Sequence, residues 1–116
     1  MIKAELVLDR GLLKSLRISG HAGAGPKGMD IVCAAVSVLA RTAYTSLSKQ
    51  EGVTVKGQAP ERGEFWMEAD YSGSQNMEFI SGAVTFLKEG LVSVSAEYPD
   101  FCNVSISIEE RQENGS

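Results

Sequence analysis

Residues 2–19, IKAELVLDRGLLKSLRIS, decide the fold. Ile2, Ala4, Leu6 and Leu8 alternate with Lys3, Glu5 and Asp9. After the Asp9-Arg10-Gly11 turn, Leu12 to Ser19 repeats the pattern with Leu16 and Ile18 facing inward. Period-two alternation on both sides of a short glycine-containing turn predicts a β-hairpin with one dry face. A dry face needs a cover, and the chain downstream supplies two. Val32, Val36, Leu39, Ala43 and Leu47 recur at steps of three and four between Ile31 and about Gln50, which predicts a helix packed on the sheet. Ile31, Ala35 and Val38 widen this stripe, so the first half of the helix is expected to be buried nearly all round. Asp30 offers an N-cap, and Glu51-Gly52 ends the helix. A second helix follows Ser72-Gly73-Ser74, with Met77, Ile80, Val84, Leu87, Leu91, Val94 and Tyr98 on one stripe, and stops at Pro99.

Three further stretches read as strands: Val53 to Lys56, Glu64 to Tyr71 and Phe101 to Glu109. Gln58 to Gly63 is a connection, and the last strand sets Cys102, Val104, Ile106 and Ile108 on its inner face. The order ββαββαβ predicts an α+β two-layer sandwich, a mostly antiparallel sheet with two long helices on one face. Residues 1–110 are expected to form a single domain, and 111–116 a polar tail with nothing to bury.

Composition narrows the function classes. The chain has 116 residues, enough for one domain and too few for two. Eleven basic residues against fifteen acidic ones give a net charge of −4, and the basic residues are scattered singly. That argues against direct nucleic-acid binding, which needs clustered Lys and Arg, and suits a basic polypeptide partner instead. No apolar run approaches the length of a membrane span, and Met1 leads into a strand pattern without a signal-peptide profile, so a cytoplasmic location is expected. Two cysteines in a reducing compartment are expected to be thiols. One His and two distant Cys give no ligand spacing, so neither a metal nor a cofactor is expected.

Between hairpin and first helix lies GHAGAGPKG, residues 20–28. A P-loop reading fails, because Lys27 is followed by Gly28 and not by Ser or Thr. Gly23, Gly25 and Gly28 match a dinucleotide fingerprint literally. The preceding strand closes a hairpin, however, and VTVKG after the helix lacks the ribose-binding acid. The third possibility is nucleophilic. His21, the single histidine, stands at the mouth of this loop. Cys33 follows the Asp30 cap by three residues and is expected in the first helical turn, where unpaired amides and the positive dipole end favour a thiolate. An imidazole within reach can take the thiol proton and later protonate a leaving amine. The helix-start amides, with that of Cys33 itself, can hold an oxyanion.

Spacing alone favours plainer roles. Cys33 lies in the apolar run IVCAAV and fits a small core residue, a lone strand-end His is more often structural, Asp30 is an ordinary cap, and Ser37 permits close packing. Cys102 reads as core. Trp66 falls on the non-core side of its strand, either over apolar surface or at an interface.

The run GHAGAGPKGMDIVCAAVS, residues 20–37, resembles the signature of the ribosomal-processing cysteine protease (Prp) family, as do the whole-chain length and the ββαββαβ order. The resemblance covers residues 1–110. It implies a cysteine endopeptidase that removes the N-terminal extension of a large-subunit ribosomal protein, cutting after an aromatic-containing motif. It places the catalytic pair on His21 and Cys33, and supporting roles on Asp30 and Ser37. It further implies a homodimer, which Phe79 and Phe86, outside the main stripe of the second helix, suit. The loop glycines Gly20, Gly23, Gly25 and Gly28 are expected to let residues 22–29 order over a bound peptide. The rival from another class is a non-catalytic ribosome-assembly adaptor that binds the same basic protein through its acidic surface.

Overall fold

The computed structural model describes residues 1–20, 29–59 and 64–109. They form β1 (Ile2–Asp9), β2 (Leu12–Ser19), α1 (Met29–Ser48), β3 (Thr54–Gln58), β4 (Phe65–Asp70), α2 (Met77–Glu97) and β5 (Cys102–Ile108). The sheet runs β3-β4-β2-β1-β5. Its pairings are antiparallel except β1 with β5, which is parallel. β5 arrives from a helix and not from a hairpin turn, so no turn forces it antiparallel to its neighbour. The architecture is therefore the α+β, ββαββαβ two-layer arrangement that the alternation and the helical stripes require.

The β1–β2 hairpin closes through Arg10 and Gly11, both at positive φ (56° and 79°), the backbone of a two-residue turn whose twist matches its strands. Val7 pairs with Ser15 but Leu8 pairs with Leu13, so the register skips Lys14. This β-bulge turns Leu13 to the same dry face as Leu16 although they are three residues apart, something strict alternation does not allow. The skipped Lys14 reaches over to β5's end, where its Nζ donates to both Glu109 carboxylate oxygens at 2.6 Å. Both groups are solvent-exposed, so the pair is worth at most about 1 kcal/mol. On the core side the Tyr71 hydroxyl donates to the Leu13 carbonyl at 2.7 Å, and burial pushes its pKa up to about 12.

Ala4, Leu6, Leu13, Leu16 and Met67 from the sheet meet Val32, Val36 and Leu47 of α1 and Ile80 and Leu91 of α2, all buried. Each of the large side chains contributes about 1.5–3 kcal/mol by leaving water. The two helices are in close contact at Gly90, where an added Cβ would stand 2.9 Å from Leu39 Cδ2.

Three expectations are corrected. Ile31 and Val38 are exposed, so α1 is not buried all round: two layers cover one side of each helix, and nothing described packs on the other. Along β5, Cys102 is 1% exposed, but Ile106 and Ile108 emerge, Ile108 to 72%. Their side of the strand outruns the helical cover. Gln58, assigned to a connection, extends β3 and pairs with Trp66. The tail at 111–116 lies outside the described residues.

Leu16→Ala and Met67→Ala should each lower unfolding stability by about 2–5 kcal/mol in denaturant titration. Ile108→Ala should stay within about 0.5 kcal/mol of the parent, and a core-sized loss there would contradict this account of β5.

Candidate active site

β2 ends at Ser19 and Gly20 follows at a φ of 129°, in the region that side chains disfavour. An added Cβ at Gly20 would collide with the Met1 carbonyl oxygen and stand 2.8 Å from the Ile2 Cα. Glycine is thus required at the point where the chain leaves the sheet for the loop. His21, Gly23, Gly25 and Gly28 lie outside the described residues, so the expected histidine–cysteine pairing and loop closure do too. Met29, grouped with that loop in the sequence reading, is instead the first residue of α1 and is buried.

Because α1 begins at Met29, Asp30 is not its cap. It sits exposed within the first turn, where its carboxylate is favourably placed against the positive end of the helix dipole. The same start revises the oxyanion donors. The amides of the first three residues, Met29 to Ile31, lack an intrahelical acceptor, whereas Cys33 is fifth and its N–H falls within the i to i−4 ladder of the helix. Cys33 accordingly opens the second turn instead of lying in the first. Helical side chains tilt toward the N-terminus, so its sulfur leans back toward the helix-start amides.

Cys33 is half-buried and packs against the core's edge, while Ser37, one turn on, is exposed. The plain reading of Cys33 as a sealed core residue is therefore not what the structure has. That reading does hold for Cys102, which is buried, accepts Ser95's hydroxyl at its carbonyl at 3.1 Å, and has its thiol pKa raised by burial. Neither cysteine is in a disulfide. Among the described residues, no group of three or more His, Cys, Asp or Glu is arranged to hold a metal ion.

On the flank of α1 that carries Cys33, Tyr44 stands edge-on to Phe65 of β4, with ring centroids 6.4 Å apart and planes at 83°. The sequence reading passed over Tyr44. Its spacing of eleven from Cys33, close to three whole turns, was the available signal. A separate hollow of about 450 Å³, lined in part by Val7, Lys14, Ser15, Lys56, Glu68 and Glu109, opens on the outer face of the sheet. It lies across the sheet from the helices, and its lining includes neither cysteine.

The profile of the family described as cysteine protease Prp matches residues 1–103. The chain is similar to the protein SMU.848 of Streptococcus mutans, at 30% identity over 94% of this chain and 96% of that one, with a TM-score of 0.76. It has the fold of the essential ribosomal processing protease Prp of S. aureus solved with a substrate peptide, at 16% identity, 92% and 100% coverage and a TM-score of 0.77. The S. aureus protease with a covalently linked product peptide superposes similarly, at 19% identity, 94% and 100% coverage and a TM-score of 0.71. No curated protein sequence matches.

Iodoacetamide near neutral pH should label Cys33 well ahead of Cys102, read by peptide mass spectrometry. The raised pKa of the buried Cys102 thiol leaves less thiolate at that pH, and burial blocks the reagent. Preferential labelling of Cys102 would remove Cys33 as a reactive centre.

Proposed function

The chain belongs to the cysteine protease Prp family, and from that premise we propose that Cys33 is its nucleophile and His21 its acid–base partner, acting on the N-terminal extension of a large-subunit ribosomal protein. The observation that carries this reading is the position of Cys33: half-buried at the flank of α1, one turn from the helix start, with its side chain tilted toward the helix-start amides.

In this scheme His21 takes the thiol proton and the Cys33 thiolate attacks the scissile carbonyl carbon. The amides of Met29 to Ile31 stabilise the thiolate and are the nearest helix-start donors for the developing oxyanion. His21 then protonates the leaving amine, giving a thioester to Cys33, and as base it activates the water that hydrolyses that thioester. Asp30 and Ser37 share the Cys33 side of the helix, three residues before and four after, and are assigned supporting contacts. The loop glycines Gly20, Gly23, Gly25 and Gly28 give the segment carrying His21 freedom to order over the peptide.

The reaction is located in the cytoplasm, which two thiols in place of a disulfide support. A homodimer of the 1–110 domain is part of the same reading. Phe86 is 75% exposed, and Phe79, Ile31 and Val38 also leave apolar surface on the outer sides of the two helices.

Cys33→Ala should abolish cleavage of an extension-bearing precursor of the host's ribosomal protein, and His21→Ala should slow it about 10²–10⁴-fold, both followed by mass of the product. Cys102→Ala should retain cleavage. The adaptor alternative requires that wild type, too, yields no cut product. Phe86→Glu should shift sedimentation toward the monomer; an unchanged sedimentation coefficient would remove Phe86 from the subunit contact.

A further inference from the structure

Two glycines inside regular elements each receive a side chain of α1. Gly57 lies within β3, the edge strand of the sheet, and is not at a positive φ, so glycine is needed there for space. A Cβ on it would stand 2.7 Å from Tyr44 Cε2, 3.1 Å from Tyr44 Cδ2 and 2.7 Å from the Trp66 carbonyl oxygen. The Tyr44 ring therefore rests on the β3 main chain, with Phe65 of β4 edge-on to it. Gly90 lies within α2, and a Cβ there would meet Leu39 Cδ2 at 2.9 Å and Cδ1 at 3.2 Å. Glycine inside a strand or a helix weakens that element, and close approach of a neighbour is the usual reason for it. Gly82, also in α2, is different: nothing stands within 4 Å of a Cβ added there.

Leu39 and Tyr44 stand about 140° apart around α1, one on the flank that meets α2 and the other on the flank that meets β3. Cys33, eleven residues before Tyr44, is within about 20° of it around the helix and about 16 Å along it. The hydrogen-bonded ladder makes the helix turn as one body over that distance. With side chains reaching about 5–6 Å from the axis, a roll of about 10° moves a side chain by about 1 Å. A displacement of that size at a reacting group lowers rate by up to about 10²-fold.

We propose that Gly57 and Gly90 are positioning residues for Cys33: the recesses they leave, filled by Tyr44 and Leu39, fix the roll of α1 and with it the exposure of the Cys33 sulfur. This rests on the reading of Cys33 as nucleophile and extends it to what aims that nucleophile. Filling the two recesses turns the helix in opposite senses. A methyl on Gly57 is backed by the Trp66 carbonyl, so Tyr44 has to yield, and the flank bearing Cys33 lifts from the sheet. A large side chain at Gly90 lifts the Leu39 flank instead and turns Cys33 inward. Leu39 Cδ2 is the tip of a flexible side chain and can sidestep a methyl, so the second substitution is to leucine.

The test measures iodoacetamide labelling rates at Cys33 across pH, together with kcat and KM on the extension-bearing precursor. Gly57→Ala should speed Cys33 labelling and Gly90→Leu should slow it. Both should lower kcat about tenfold or more with KM little changed. Gly82→Ala should match the parent in every respect. In a Tyr44→Ala background Gly57→Ala should add nothing, because the side chain it displaces is gone. The buried Cys102 gauges global opening, and its labelling should stay at the parent rate throughout.

Parent-like Cys33 labelling in folded Gly57→Ala and Gly90→Leu proteins would overturn the proposal. So would labelling of Cys33 and Cys102 that rises together, which marks a merely structural loss, or an undiminished Gly57→Ala effect once Tyr44 is alanine. If the glycine variants do not fold, Tyr44→Ala alone decides: it removes the β3 support without a collision, and an unchanged Cys33 labelling rate there overturns the proposal equally. Altered labelling of Cys33 alone, with cleavage untouched, would keep the positioning role and remove Cys33 as nucleophile.

Discussion

The sheet has one dry face, and the rest of the molecule is arranged to cover it. Leu6, Leu16 and Met67 lie side by side across β1, β2 and β4 through the pairs Leu6–Leu16 and Leu16–Met67, and all three are buried. Water cannot be left on that row without losing several kcal/mol of apolar burial. Two helices cover it, and their meeting at Leu39 and Gly90 helps set which flank of each looks outward. For α1 the outward flank on the β3 side is the one bearing Cys33. The packing constraint and the placement of the Cys33 sulfur are thus a single arrangement.

The same constraint explains why the two cysteines differ. Cys102 is first in β5, paired with Ile2 beneath α2, and has no route to solvent. Cys33 is about 60° off the centre of α1's buried stripe, near enough to pack on the core and far enough round to be partly exposed. A thiol at that border, beside helix-start amides, is placed for nucleophilic chemistry as a fully buried thiol is not. Gly20 adds a second fixed point, because its backbone fits against Met1 and Ile2 only without a side chain, so the segment bearing His21 departs from a defined place.

Membership of a cysteine protease family accords with this division of labour. The two-layer scaffold carries Cys33 half-buried on α1 near the helix-start amides. The glycine-rich segment that carries His21 joins the end of β2 to the start of α1 in the sequence.

The sequence by itself determined the element order, the hairpin, both helical stripes and the inward position of Cys102, because period-two and period-3.6 burial are written directly in residue spacing. It also carried the family signature around His21 and Cys33. It could not determine that Leu13 turns inward, since the bulge at Lys14 depends on pairing between strands. Nor could it determine that Ile31, Val38 and Ile108 stay exposed. An apolar residue is buried only where another layer arrives, and the number and reach of the layers are decided in three dimensions. The half-burial of Cys33 and its alignment with Tyr44 over the β3 edge belong to the tertiary structure for the same reason: they depend on which way α1 is turned about its own axis, and that rotation is set by contact with α2 and the sheet.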